Sequence, residues 1–294
     1  MEFSVFKQIF ESKIYEDTRS GLIESIAKRP ERFVGVFRST PVREKIAQFV
    51  SQSREIKFGD AFEELIGKLL EERDYVSLPK ILVSTSGQTF NADQLVRDQN
   101  GNVYLIEQKI RDDHDTTKRI GQIDNFRDKV LALQSANGTQ FKKGFFYFID
   151  PEFKKNKAYY QRRLSELELE LGVQLPLVYG SELFDELGIE SLWAEVLNHL
   201  TNWRNGLPTF ATFNFDDAPD QTVAEFKANV PASLFIKLFK NAELRDNVLP
   251  ILFTSDDTLL KVREIYARSV KRVDKELCIL IDEFIELRRS NLSE

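Results

Sequence analysis

The sequence predicts an α/β protein: a mixed β-sheet flanked by helices, with further helical segments at both ends. Three observations predict it. Short apolar and β-branched runs at 80–85, 92–96, 103–109, 144–150 and 175–179 have the length and composition of strands. Helix-period apolar patterns separate the later runs, which is how parallel pairings are connected. An Asn100-Gly101 turn between two of the earlier runs calls for an antiparallel pair.

Bulk properties narrow the classes. A chain of 294 residues, 42% hydrophobic and 30% charged, has the composition of a globular protein with a real core. No apolar run approaches the ~20 residues needed to span a bilayer, and the N-terminus lacks the basic start and apolar stretch of a signal peptide. Cys278 is the only cysteine, so no intramolecular disulfide forms, which fits a reducing cytoplasm. With one cysteine and two histidines a zinc site is excluded, and any metal is expected to be a hard cation on oxygen ligands. A net charge of −6 argues against blanket nucleic-acid binding but leaves room for a local basic cleft. No Gly-rich phosphate loop is present, so no nucleotide cofactor is expected.

The elements follow in order. Residues 1–55 read as helical, with Phe3, Phe6, Ile9 and Phe10 at helical spacing and Thr40-Pro41 as a helix start. They carry no chemistry and suit packing or dimerisation. Residues 58–73 form the clearest amphipathic helix, with Phe62, Leu65, Ile66, Leu69 and Leu70 as its stripe. Glu63 falls at the edge of that stripe and can look into a neighbouring site, or it is an ordinary solvated acid. Strands follow at 80–85, 92–96 and 103–109. A helix at 116–136, with Ile120, Ile123, Phe126, Val130 and Leu131 as its apolar face, ends at Asn137-Gly138. The run GFFYFID at 144–150 is apolar throughout and is expected to be buried on both faces. A helix at 155–171, the strand LPLVY and helices at ELFDELG and 191–203 complete a core of residues 56–205. Arg204 to Pro208 reads as a boundary. Residues 206–294 are mainly helical, for dimerisation or DNA contact. Within them Leu259–Arg289 reads as one long helix with Lys261, Arg268, Arg272 and Lys275 on one face. That face is either a phosphate-tracking stripe or a solvated surface balanced by acids, and the second reading is preferred.

The chemistry concentrates in FNADQLVRDQNGNVYLIEQKIRDDHDTTKR, residues 90–119. In a strand, alternate residues share a face, so Glu107 and Lys109 lie together at the end of an apolar strand. A buried acid and amine are costly there unless paired or metal-bound. Asp93 joins them only in one register. A two-residue turn at Asn100-Gly101 sets Asp93 opposite Gln108, on the wrong face. A type I turn over 98–101 with Gly101 left-handed in a bulge sets Asp93 opposite Glu107. The bulged hairpin is predicted. Two carboxylates at close range call for a cation between them, and Mg²⁺ suits oxygen ligands and phosphates. A lysine beside a metal-bound water can orient it and stabilise charge on a phosphate under attack.

A helix bearing Glu63, then Asp93, then Glu107-Gln108-Lys109 on a strand, then a helix, resembles the PD-(D/E)xK nuclease superfamily over roughly residues 56–150, extending to about 190. With its flanking helical segments the chain is most similar to type II restriction endonucleases. The proline usually written before the first Asp is replaced, the chain reading Asn91-Ala92-Asp93. The resemblance implies a restriction-endonuclease-like core and a metal held by Asp93, Glu107 and the carbonyl of Gln108. It implies that Lys109 positions the attacking water and that Glu63 is an auxiliary acid. It also implies a homodimer that cuts both strands of duplex DNA, leaving 5′-phosphates and 3′-hydroxyls. Arg111, His114, Lys118, Arg119 and Gln122 are placed to reach phosphates or base edges. The same segment also reads as a helix start, with Asp115 or Thr116 as cap and Asp112 and Asp113 suiting the dipole. The readings carried forward are a Mg²⁺-dependent site-specific endonuclease, another nuclease of the superfamily with a repair, structure-specific or modification-dependent duty, and a non-catalytic DNA-binding protein.

Overall fold

A computed structural model describes residues 1–16, 18–113, 115–207 and 213–291. In chain order the elements are α1 (Phe3–Tyr15), α2 (Thr18–Lys28), α3 (Val42–Glu71), β1 (Val76–Ser77), β2 (Ile81–Val83), β3 (Thr89–Asn91), β4 (Gln94–Arg97) and β5 (Val103–Lys109). Next come α4 (Thr116–Asn137), β6 (Phe141–Phe148), α5 (Lys157–Leu171), β7 (Leu177–Tyr179), α6 (Glu182–Glu186) and α7 (Ser191–Asn205). The last six are α8 (Pro219–Asn229), α9 (Ala232–Lys240), α10 (Ala242–Asn247), α11 (Leu249–Leu252), α12 (Asp257–Ala267) and α13 (Arg272–Asn291). The chain divides into two compact units, one of residues 1–13 and 58–207 and one of residues 14–57 and 208–294. Pro208, the last residue of the expected boundary, lies outside the described residues. Among the described residues no helix is long and apolar enough to cross a membrane.

The first unit holds a five-stranded mixed sheet in the order β1-β4-β5-β6-β7. The β1–β4 and β4–β5 pairs are antiparallel, while β5–β6 and β6–β7 are parallel. Antiparallel pairing belongs to the hairpin half and parallel pairing to the half where helices intervene, as short turns and long crossovers require. One face carries Leu95, Val103, Leu105, Phe146 and Phe148, packed with Ile123, Phe126, Val130 and Leu133 of α4 and with Tyr160, Leu164 and Leu167 of α5. On the other face Val96, Ile106, Phe145 and Tyr147 are also buried. The stripe of α3 expected from the sequence is buried, and Phe10 of α1 meets Phe62 edge-on at 5.2 Å. Residues 144–148 of the GFFYFID run form the C-terminal part of β6 and, with Ile149 after them, are buried on both faces as their lack of alternation demands, and each large side chain there contributes about 1.5–3 kcal/mol.

Three expectations need correction. The strand foreseen at 92–96 starts two residues later, as β4. Residues 89–91 pair with β2 in a separate two-stranded sheet, and the chain passes to the main sheet across Ala92-Asp93. The Ala92 amide is still claimed by the Lys80 carbonyl on the first sheet (2.8 Å), so the ladder to β5 starts only at Gln94. The apolar face of α4 is rotated from the expected one: Ile120 is exposed, and Ala132 and Leu133 are buried in place of Leu131.

The long helix expected over 259–289 is two helices. The Ser269 amide donates to the Tyr266 carbonyl (3.0 Å), and the Ser269 hydroxyl accepts from the Lys271 amide (3.2 Å), which closes α12 and opens α13. The reversal lets Leu259 and Val262 share one core with Leu277, Ile281 and Phe284, whereas a straight helix would strand one end in water. The basic stripe therefore does not form: Lys261 of α12 is paired with Asp220 of α8, while Arg272 and Lys275 belong to α13.

Candidate metal-binding active site

The hairpin has the bulged geometry. Gly101 has φ +83°, and its amide donates to the Asp98 carbonyl (3.1 Å). The Asp98 amide donates to the Asn102 carbonyl (2.9 Å), and Arg97 stands opposite Val103, Leu95 opposite Leu105. Continued by one rung, that register sets Asp93 opposite Glu107. Asp98 organises the turn: its carboxylate accepts from the amides of Asn100 and Asn102 and from the Tyr104 hydroxyl (3.1 Å). Burial works against its charge, but these bonds hold it below the usual carboxylate range. Burial and the neighbouring Asp98 together push Tyr104 up to about 12.

The hairpin brings the expected residues together around one ammonium. Lys109 Nζ lies 3.1 Å from Asp93 Oδ2, 2.8 Å from Glu107 Oε1 and 2.7 Å from the Gln108 carbonyl oxygen. Asp93 Oδ2 also accepts the Gln108 amide at 2.7 Å, which fixes the acid against the strand. Burial works against the Lys109 charge, but Glu107 and Asp93 outweigh it and raise its pKa. Three hard oxygens from two adjacent rungs thus converge on a single cationic point. That donor set fits Mg²⁺, which takes carboxylate and carbonyl oxygens and keeps several waters. Among the described residues no group of three or more Asp, Glu, His or Cys side chains is placed to hold a metal, so two carboxylates and a main-chain oxygen are what the hairpin offers.

A further residue, not foreseen from the sequence, completes the cluster. Lys129, in the middle of α4 and only 4% exposed, places Nζ 2.6 Å from Glu107 Oε2. Each oxygen of Glu107, itself 5% exposed, is therefore held by a different lysine. The signal was present: Lys129 follows Phe126 by three residues and precedes Leu133 by four, so it interrupts the buried stripe of its helix.

Most of the other expected site residues have partners of their own. Glu63 makes its ion pair with Lys80 (2.6 Å), and its backbone carbonyl receives the Gln94 side chain. Arg111 lies 3.7 Å from Asp150 and over the ring of Phe153. His114 lies outside the described residues. Lys118 is exposed, and its amide is capped by Asp115 (2.9 Å), so Asp115 is the cap of α4. Arg119 donates to Asn156 Oδ1 (2.8 Å) and stacks on Tyr159 at 4.3 Å, and Gln122 accepts from the Tyr160 hydroxyl (2.7 Å). Asp112 does not serve the helix dipole. It is fully buried and accepts from the Asn156 amide (2.8 Å), the Asn156 side chain (2.9 Å) and Tyr179 (3.2 Å), anchoring the β5–α4 loop to the start of α5.

Residues 80–204 match a family model described as "Type II restriction endonuclease, HinfI". A PD-(D/E)xK-type restriction-endonuclease domain is thus matched over part of the chain, from β2 to α7. The matched span contains Asp93, Glu107, Gln108, Lys109 and Lys129. No curated protein matches the chain.

Proposed function

From the restriction-endonuclease domain matched over residues 80–204, we propose that the chain is a Mg²⁺-dependent, site-specific endonuclease acting on duplex DNA. It works as a homodimer in the cytoplasm and leaves 5′-phosphates and 3′-hydroxyls. The observation that carries this reading is the convergence of Asp93 Oδ2, Glu107 Oε1 and the Gln108 carbonyl on one cationic point. In the proposed site these three oxygens hold the ion. A bound Mg²⁺ supplies Lewis acidity there, acidifying a water and offsetting charge on the scissile phosphate. The Gln108 amide keeps Asp93 turned towards the strand, and Lys129 keeps Glu107 from rotating. Lys109 exchanges its carboxylate partners for the attacking water and the phosphate, where its charge opposes the build-up of negative charge. Exposed Lys118 lends a phosphate contact at the start of α4, and Glu63 acts as an auxiliary acid from α3.

Digestion of a plasmid of known sequence with Mg²⁺ tests the reading. Discrete bands, lost in Lys109→Ala while DNA binding is kept, are expected. A smear would indicate a nuclease of another duty, and no cleavage by the wild type would leave a DNA-binding protein.

A further inference from the structure

We propose that Lys129 confines this centre to a single divalent cation per chain by holding the second oxygen of Glu107. The proposal rests on the metal-centre reading above. The two lysines on Glu107 are not equivalent. Lys109 stands at the end of β5 with its side chain 23% exposed, and it shares the three oxygens assigned to the ion, so it can turn away into solvent. Lys129 cannot. It rises from the interior of α4 among Phe126, Val130 and Leu133, each with no exposed surface. Burying an ammonium in such surroundings is costly unless a carboxylate stands beside it, and Glu107 Oε2 at 2.6 Å is that partner. Oε2 therefore stays engaged when Oε1 changes partner.

This limits what Glu107 can do. Paired metal ions in hydrolytic sites stand about 3.5–4 Å apart and are bridged by shared ligands. Glu107 Oε2 is held by an ammonium, so a second cation bridged through Glu107 would sit beside that positive charge, which opposes it. Asp93 Oδ2 already receives the Gln108 amide and belongs to the first ion, which leaves Asp93 Oδ1 as the one carboxylate oxygen for a second. Glu63 is held by Lys80, and among the described residues no three acids are grouped to hold a metal. Charge points the same way. With Lys109 turned away, two carboxylates stand against the Lys129 ammonium, so one divalent ion leaves the cluster with a charge of about +1 and a second raises it to about +3.

Mn²⁺ titrated into the full chain, with free Mn²⁺ followed by electron paramagnetic resonance, counts the ions directly. The wild type should bind one Mn²⁺ per chain, and Asp93→Asn should abolish that binding. Lys129→Met frees Oε2 and removes a positive charge within a few ångströms of the ion. It should bind a second Mn²⁺ or bind the first at least about tenfold more tightly. Lys129→Gln, which keeps a donor to Oε2, should keep the count of one. Two Mn²⁺ per wild-type chain, both lost in Asp93→Asn, would overturn the proposal while sparing the metal-centre reading. So would a folded Lys129→Met with wild-type count and affinity. Mn²⁺ binding that survives Asp93→Asn, or no binding at all, sinks both. Should Lys129→Met not fold, the wild-type count alone decides.

Discussion

Neutralising Glu107 should weaken the sheet-bearing unit, the opposite of what relief of repulsion between two acids would do. Glu107 is 5% exposed and faces an ammonium through each oxygen, at 2.8 Å to Lys109 and 2.6 Å to Lys129. The buried pair carries a gross attraction of about 6 kcal/mol at an effective dielectric of about 20, much of it offset by desolvation. Removing one partner of such a pair leaves the other buried and unpaired, which costs about 3–5 kcal/mol. Glu107→Gln keeps the shape but offers one acceptor to two donors. The amide oxygen goes to buried Lys129, Lys109 turns to water, and the loss falls near the low end, about 3 kcal/mol. Asp93→Asn, at a side chain 23% exposed with the Gln108 bond retained, should cost about 1 kcal/mol. Urea unfolding followed by tryptophan fluorescence reads this unit alone, because Trp193 and Trp203, the only two tryptophans, both belong to it. Glu107→Gln combined with Lys129→Met should recover most of the loss, since no buried ammonium is left. A Glu107→Gln protein as stable as the wild type, or a double variant no better than the single, would refute the reasoning.

Other outcomes follow from the same geometry. Gly101→Ala meets no atom within 4 Å, so its cost is the left-handed backbone alone, about 1–2 kcal/mol by urea midpoint, and a loss near zero would mean that the turn is not as described. The Asp98–Tyr104 contact sets a pH window for the hairpin. Asp98 lies below its ordinary value, so its contribution is present above about pH 4 and is lost as pH falls through its own lower pKa. Tyr104 is raised to about 12, so its contribution is present below about pH 10 and is lost as pH rises through about 12. Hydrogen exchange at the Asn102 amide should accelerate at both limits, and in Asp98→Ala it should be fast throughout. Lys118→Ala should weaken DNA binding and flatten its salt dependence by about one ion, whereas Arg119→Ala, which breaks the bond to Asn156 and the stack on Tyr159, should lower stability instead.

What could be read from the sequence follows the range of each cause. The hairpin was legible because its causes are local: period-two alternation places Glu107 with Lys109, and Gly101 allows the φ of +83° that the bulge needs. The burial of β6 was legible from five apolar residues in a row. The split at residues 268–271 was not, because no proline or glycine marks it. It is imposed by a core that both α12 and α13 must reach. Lys129 is legible in sequence only as a break in the buried stripe of its helix, since its partner is 22 residues away and only the packing of α4 on β5 brings them together. Arg119 and Gln122 look like free polar side chains in sequence, yet both are engaged by the first turn of α5.

The bulge at Gly101 has a consequence for the lengths this hairpin can tolerate. A residue added within either strand between Asp93 and Glu107 shifts the pairing by one and carries Asp93 away from Lys109. A residue added in the turn itself is absorbed by a four-residue loop, which leaves the pairing from Arg97 and Val103 onward unchanged. Length variation that keeps the cluster is therefore confined to residues 99–101.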